Sequence, residues 1–184
     1  VGSASQENIL QVLDGGAVGV VCPHVDTAAK AADIARWSRF GHGGRGYAGS
    51  TRWAGFATRK MPDLLAQSQA ETVVIAQIEE PEGVDAAEAI AATDGVDGLF
   101  LGPADLSVGY GKTDQTSPEL MAAFDSVGKA AKAAGKAYMT FVPDAAAAAK
   151  LTQYGLTMFF IASEHSWMCN GATVDADGIH GLAQ

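Results

Sequence analysis

Cysteine, positive charge and long apolar runs are all scarce in this sequence of 184 residues. Its two cysteines, Cys22 and Cys169, are too few for a disulfide framework, and they predict free thiols in a reducing compartment, the cytoplasm. Twelve basic side chains against 21 acidic ones give a formal net charge of −9 and leave no basic stripe, which argues against nucleic-acid binding. No apolar run approaches the ~20 residues of a membrane span, and no signal-peptide pattern opens the chain, so we expect no membrane partner.

Short apolar segments alternate with helical patterns along the rest of the chain. Hydrophobic residues make up 48% of it, which is enough for a sizeable core. The alternation, joined by short turns, is typical of a parallel sheet covered by helices. The predicted strands cover residues 17–22, 73–79, 96–101, 137–142 and 156–162. The predicted helices cover residues 5–14, 27–37, 61–69, 81–93, 118–134 and 144–154.

Three segments show no hydrophobic periodicity and are predicted to be irregular. Residues 39–62 are rich in Gly, Arg and aromatic side chains, and a long irregular segment of this kind is typical of a lid, a binding loop or an oligomer contact. Residues 108–117 are predicted to form a loop. The tail from Ser163 is Gly-rich and weakly patterned, which places His165 in a loop.

Two architectures fit an α/β chain with about five strands. A (β/α)8 TIM barrel typically needs ~250 residues, so this chain would supply roughly the last five βα units of one, with about three units missing before Val1. An open flavodoxin-like sheet is the alternative of matching size. Against it, the first βα turn has no phosphate loop and the chain does not start with a strand. We expect residues 1–184 to form a single domain, the C-terminal portion of a TIM barrel.

Carboxylates follow two of the apolar strands. One strand ends in Gln77-Ile78-Glu79, and the next is followed by Gly102-Pro103-Ala104-Asp105. Active sites of parallel sheets lie at the carboxyl ends of the strands, and side chains two residues apart share a face. If the strands are neighbours, roughly 4.8 Å apart, Glu79 and Asp105 can converge on one hard cation, Mg²⁺ or Mn²⁺. The structural alternative is that each acid only caps a helix or a turn.

The two blocks at this spacing resemble those of the HpcH/HpaI aldolase family. This family comprises class II, metal-dependent pyruvate aldolases of the phosphoenolpyruvate/pyruvate barrel superfamily. The resemblance runs from about residue 7 to residue 163 and includes further matches at residues 13–17, 22–27 and 45–46. It implies a barrel enzyme that cleaves or forms 4-hydroxy-2-oxo acids through the enolate of pyruvate or a related 2-oxo acid. It also implies a homo-oligomer, a hexamer, in which neighbouring subunits complete the pocket.

The resemblance assigns roles to residues at the carboxyl ends of the strands. Glu79 and Asp105 would bind the divalent cation, Mg²⁺ or Mn²⁺ with Co²⁺ as a further candidate, and the cation would act as a Lewis acid on the keto oxygen. Proline has no N–H, so the amides of Ala104 and Asp105 would hold the substrate carboxylate. His24, at the end of the first strand, would line the pocket rather than act as the main base. The implied substrate-binding residues are Gln77, Gly102, Pro103, Ala104, Asp105 and His24.

Two functional residues of the family have no match in this sequence. One is an Arg that stabilises the enolate, which by alignment falls just before Val1, and the other is a His further upstream. We therefore expect this sequence to lack the N-terminal part of the barrel. The aldehyde partner would depend on residues 39–62, on the tail, on the upstream strands and on a neighbouring subunit. Two other functions stay open: a related C–C lyase of the citryl- or malyl-CoA type, and a non-catalytic truncated relative that binds 2-oxo acids or only oligomerises.

Overall fold

A computed structural model describes residues 1–182 as a curled sheet of parallel strands with helices packed along it. The strands are β1 Gly19–Cys22, β2 Val73–Ile78, β3 Gly98–Leu101, β4 Ala137–Val142 and β5 Met158–Ile161. They lie side by side in the order β1-β2-β3-β4-β5. A flavodoxin-like sheet would have its first two strands exchanged, so the sequential order confirms a partial (β/α)8 barrel.

Except for the helix that begins at Ala87, the helices begin where the sequence offers a capping side chain or a proline. Side-chain oxygens of Ser5, Thr27, Ser117 and Asp144 each accept a hydrogen bond from a backbone amide in the first turn. Proline lies in the first turn of four helices, where its missing N–H costs nothing. The helices are α1 Gln6–Asp14, α2 Ala28–Ser38, α3 Met61–Glu71, α4 Pro81–Asp85, α5 Ala87–Ala91, α6 Pro103–Gly109, α7 Pro118–Ala133, α8 Ala145–Leu151 and α9 Glu164–Gly181.

Three of the predicted boundaries are wrong. The helix expected over residues 81–93 is divided at Ala86, whose φ of −90° and ψ of 3° interrupt the helical backbone. The segment after β3 forms α6, which extends into the predicted loop. The tail forms α9, so His165 lies in a helix and not in a loop. No residue of α9 is buried, and without a buried apolar face its sequence carries no helical period to read.

The two faces of the sheet pack against different surroundings. Side chains alternate between the faces of a strand, so within β2 Ala76 and Ile78 join the main core beneath the helices. Ile75 points the other way and packs with Phe100 and Met139 on the concave face. Gln77 and Glu79 follow Ile75 at intervals of two residues, which directs both toward the concave face.

Residues 39–60 lie at the amino ends of the strands. The Arg39 guanidinium donates hydrogen bonds to the carbonyl oxygens of Thr72 (3.0 Å) and Gly95 (2.8 Å), which precede β2 and β3. The Trp53 amide donates to the carbonyl of Asp14, which precedes β1. The carboxyl ends of the strands, where Glu79 follows β2, lie at the opposite edge of the sheet from this segment. That this segment helps choose the aldehyde stays a prediction.

Arg45 fixes this segment to the rest of the molecule. Its side chain is fully buried, and Nη2 lies 2.5 Å from Asp14 Oδ1. The guanidinium carbon lies 4.5 Å from the ring centre of Phe40 and 4.8 Å from that of Trp53. An arginine that is paired and stacked in this way has a structural role.

The helices of the described part of the chain, residues 1–182, include none with the length and apolar character to cross a bilayer.

Candidate metal and substrate site

Glu79 is a buried carboxylate immediately after β2, with 3% of its surface exposed. Its Oε1 accepts a hydrogen bond from the backbone N–H of His24 at 2.9 Å, and its Oε2 accepts one from the side-chain amide of Gln77. The cap position of α4 is occupied by Glu80, which makes no side-chain capping bond. The capping interpretation of Glu79 is therefore wrong, because its oxygens face the ends of β1 and β2.

His24 follows β1 in a left-handed backbone conformation, with φ of 57°. This conformation is uncommon for a residue with a side chain, although histidine adopts it more readily than most. It directs the His24 amide at Glu79, and the next amide, that of Val25, donates to the carbonyl of Gln77 at 3.0 Å. The turn after β1 is thus fastened to the end of β2 at two consecutive residues.

The ring of His24 lies between two carboxylates. Its Nδ1 is 2.5 Å from Glu80 Oε1 and 3.1 Å from Glu79 Oε1, while 63% of the side chain is exposed. The hydrogen bond with Glu80 raises the pKa of His24, partial burial opposes this, and the negative charges of Glu79, Glu80 and Asp105 raise it further. The surroundings of the ring therefore favour a positive charge at this point.

The donor set fits a divalent cation. Ligand atoms of His24, Glu79 and Glu80 all lie within 4.8 Å of one another. Oε2 of Glu80 is buried and has no hydrogen-bond partner among residues 1–182, which is costly for a carboxylate oxygen. Carboxylate oxygens suit Mg²⁺ and Mn²⁺, and imidazole nitrogen suits transition metals.

Asp105 lies outside this group of three but faces the same region. It is exposed in the first turn of α6, and its charge acts on the ring of His24. Gly102 brings α6 close, because a Cβ added there would lie 3.0 Å from Glu79 Oε2 and 3.3 Å from Gln77 Nε2. With any other residue at this position, the side chain of Glu79 or Gln77 would have to shift by a few tenths of an ångström.

A cavity of about 260 Å³ opens beside these residues on the concave face. It is lined by Gln77, Phe100, Gly102, Pro103, Ala104, Asp105, Gln115 and Phe141. Five of the predicted substrate-binding residues are thus brought together, whereas His24 does not line this cavity and contacts the two glutamates instead.

Sequence reasoning missed three residues of this cavity. Phe141 lies on β4 and is 42% exposed, and Phe100 lies on β3; both are apolar strand residues that looked like ordinary core. The alternation along each strand could have placed them on the concave face. Gln115 lies in an irregular stretch where no pattern could have indicated it.

The sequence of this chain resembles those of a group of known proteins. Residues 1–170 match the family model described as HpcH/HpaI aldolase/citrate lyase. A hydroxypyruvate/pyruvate aldolase of Chromohalobacter salexigens is 39% identical over 170 residues, which are 89% of this chain and 65% of that protein. A 5-keto-4-deoxy-D-glucarate aldolase of Klebsiella pneumoniae is 37% identical over 158 residues, which are 85% of this chain and 61% of that protein.

A solved structure gives the same result for the fold. An HpcH/HpaI aldolase/citrate lyase family protein from Burkholderia cenocepacia matches with a TM-score of 0.91 at 34% identity, over 98% of this chain and 72% of that one. The chain spans less than two thirds of the length of the two curated relatives above, 65% and 61%.

Proposed function

Because this chain belongs to the HpcH/HpaI aldolase/citrate lyase family, we propose that it acts in the metal-dependent cleavage or formation of 4-hydroxy-2-oxo acids. The reaction class is carbon–carbon lyase, with pyruvate or a related 2-oxo acid as one partner and an aldehyde as the other. The observation that carries the proposal is the buried carboxylate of Glu79, hydrogen-bonded to Gln77, which itself lines the cavity. The names of the relatives, which are aldolases acting on oxo acids, support it.

Glu79 and Asp105 are the proposed metal ligands. Two carboxylates only partly neutralise a divalent cation, so the site stays attractive to an anionic 2-oxo acid. A bound Mg²⁺, Mn²⁺ or Co²⁺ would act there as a Lewis acid toward the keto oxygen. The backbone of His24 and the side chain of Gln77 hold Glu79 in one orientation before any ligand binds.

The first turn of α6 is the proposed site of the substrate carboxylate. The amides of Ala104 and Asp105 have no acceptor within the helix, and no side chain of residues 1–182 caps it. Both residues are exposed and line the cavity. Phe100 and Phe141 supply an apolar wall on the same cavity.

No specific observation favours the CoA-dependent alternative. The residues that line the cavity include no Lys or Arg that would meet a CoA phosphate. We therefore keep the aldolase as the single proposed function.

We also propose that the protein is cytoplasmic and forms a homo-oligomer, a hexamer by family resemblance. Both cysteines are free thiols, which fits a reducing compartment. The helix α9 offers apolar side chains that this chain leaves exposed, including Trp167 and Met168.

The first test is enolisation of pyruvate, which does not require the aldehyde to be known. The purified protein is incubated with pyruvate in D₂O and a divalent metal, and deuterium in the pyruvate methyl group is measured by mass spectrometry. We expect metal-dependent incorporation that EDTA abolishes. Glu79→Gln and Asp105→Asn should each reduce the rate about a hundredfold, since each removes a charged ligand.

Glu82→Gln is the matched control, because it neutralises an exposed carboxylate three residues from Glu79 whose side chain makes no hydrogen bond or ion pair with the site residues in the described part of the chain. It should exchange deuterium at the rate of the unmodified protein. Absence of exchange in folded, metal-loaded protein would favour a relative that binds 2-oxo acids without turnover.

A further inference from the structure

The ring of His24 has no assigned role in the proposed reaction, yet it lies against the proposed metal ligand. We propose that His24 supplies a nitrogen donor to the cation site and thereby makes it select Co²⁺ or Mn²⁺ over Mg²⁺. This inference rests on the proposed function, because it assumes that Glu79 binds a divalent metal ion.

The spacing of the donor atoms supports coordination of one ion. Adjacent ligands at about 2.1 Å from an octahedral metal ion are separated by about 3 Å. His24 Nδ1 and Glu79 Oε1 are 3.1 Å apart. The two atoms therefore already have the separation of neighbouring ligands. An ion that binds there displaces the proton that Nδ1 shares with Glu80 Oε1, and this proton is released to solvent without a large movement of the ring.

The backbone holds the ring at this point. The His24 N–H is bonded to Glu79 Oε1, the His24 carbonyl accepts from Lys30 Nζ at 3.2 Å, and Val25 is bonded to Gln77. These three hydrogen bonds, made by two consecutive residues, fix the backbone position from which the His24 side chain extends. A donor that is held in place by its surroundings loses little freedom when it binds an ion.

Glu80 provides a third donor beside the same ring. Its Oε1 lies 2.5 Å from His24 Nδ1, and its Oε2 is buried with no hydrogen-bond partner in the described part of the chain. An unpaired buried carboxylate oxygen is a strained arrangement that a cation would relieve. This second observation comes from Glu80 and is independent of the His24–Glu79 spacing.

A nitrogen donor changes which metal the site prefers. Mg²⁺ favours a shell of oxygen ligands, whereas imidazole nitrogen stabilises first-row transition metals in the order Mn²⁺ below Co²⁺. A site made only of carboxylates and amide oxygen would show a weaker bias of this kind. His24 should therefore affect Co²⁺ binding most, Mn²⁺ binding less and Mg²⁺ binding least.

The experiment compares metal affinities of the purified protein and its variants by calorimetric titration with Mg²⁺, Mn²⁺ and Co²⁺. His24→Gly removes the ring and suits the left-handed backbone, and His24→Asn tolerates that backbone while offering an oxygen donor. Both keep the backbone N–H that is bonded to Glu79. Each should weaken Co²⁺ binding about tenfold to a hundredfold and leave Mg²⁺ binding within about twofold.

A spectroscopic readout separates ligation from a general loss of structure. The visible absorption of bound Co²⁺ should shift in both variants, because a nitrogen ligand is replaced by oxygen or water. Thermal unfolding of each variant is measured beside it, and the two substitutions guard against one of them failing to fold. Glu82→Gln again serves as the control and should leave all three affinities unchanged.

The outcomes distinguish this inference from the proposed function. Unchanged Co²⁺ affinity and an unchanged Co²⁺ spectrum in His24→Gly and His24→Asn would overturn the role of His24, while loss of binding in Glu79→Gln would leave the proposed metal site standing. Retention of all three affinities in Glu79→Gln would overturn the metal site itself, and the role of His24 with it. A tenfold or larger loss confined to Co²⁺ and Mn²⁺ in both His24 variants supports the inference.

Discussion

Glu79 is prepared for a ligand by contacts that come from two different strands. One oxygen is fixed by the backbone after β1, and the other by a side chain of β2. A carboxylate that is oriented in advance does not have to reorganise when a cation arrives, and preorganisation of this kind is a large part of electrostatic catalysis. The position of Glu79 therefore depends on the pairing of β1 with β2 as much as on its own strand.

The buried thiol of Cys22 gives a prediction about pH at the residue scale. Burial raises the pKa of Cys22 to about 11. The thiolate is the reactive form, so at pH 8 the folded protein should label Cys22 about a hundredfold more slowly than an unfolded chain does. Because the unfolded thiol ionises first, the stability that Cys22 contributes is complete below its ordinary pKa and is lost as the pH rises toward 11.

A chromogenic thiol reagent applied before and after denaturation tests this. Cys169 is exposed, so Cys169→Ser isolates the signal of Cys22. We expect no rapid labelling of the Cys169→Ser protein until denaturant is added, and then one thiol per chain. Rapid labelling of the folded variant would show that the end of β1 opens frequently.

The residues of the site differ in how visible they are in the sequence. Gln77, Glu79 and Asp105 could be read from their places after apolar strands, since the carboxyl ends of neighbouring parallel strands meet. The contact of His24 with Glu80 could not, because it depends on a left-handed backbone at His24 that no periodicity encodes. Metal binding by Glu79 and Asp105 stays a prediction, because the group with closely spaced ligand atoms contains Glu80 in place of Asp105.

At the scale of elements, Gly128 shows how α7 meets the chain before β5. A Cβ at this position would lie 2.1 Å from the carbonyl oxygen of Tyr154. Helix propensity alone would make Gly128→Ala stabilising by about 1 kcal/mol, but backbone atoms cannot yield at that distance. We expect the opposite sign, a loss of about 1–3 kcal/mol in the free energy of unfolding, measured by denaturation in urea.

Gly171 is the matched control for this substitution. It also lies inside a helix, α9, and nothing lies within 4 Å of an added Cβ. Gly171→Ala should therefore be neutral or stabilise by up to about 1 kcal/mol. Equal effects of the two substitutions would mean that α7 does not approach Tyr154 as closely as described.

Most of the elements that the sequence predicts well are those that the core enforces. Strands β1 to β4 and helix α7 carry apolar residues at the period of their structure, and those residues are buried. Strand β5 and helix α8 bury no residue, and they were predicted from an apolar run and from a capped, alanine-rich segment. The break at Ala86 and the helix α9 were missed, since the first is a local backbone change and the second has no buried face. Hydrophobic periodicity reflects burial, so α9, which buries no residue within its own chain, shows no helical period in the sequence.

At the scale of the whole molecule, α9 leads to a prediction about assembly. Trp167 is 59% exposed and Met168 is 71% exposed on this helix. Adjacent apolar side chains at a surface mark an interaction site, and we proposed a homo-oligomer. The double variant Trp167→Glu with Met168→Glu should therefore shift the protein to a smaller species in sedimentation velocity.

Thr173→Glu tests the charge alone, because it adds a carboxylate to an exposed polar position of the same helix. It should leave the sedimentation coefficient unchanged. An unchanged coefficient in the double variant as well would remove α9 from the interface.

The family and the partial barrel are established by the match over residues 1–170 and by the strand order. That residues 1–184 form a single domain stays a prediction.

The sequential order of the strands also bears on how the chain is made. Each strand from β2 onward pairs with the strand synthesised just before it, and none is inserted between two earlier ones. A segment leaving the ribosome therefore always meets an edge that is already present, and nothing has to be opened to admit it. The sheet can therefore grow in the direction of translation. The turn that carries His24 is synthesised first, and its hydrogen bond to Glu79 forms once Glu79 has left the ribosome.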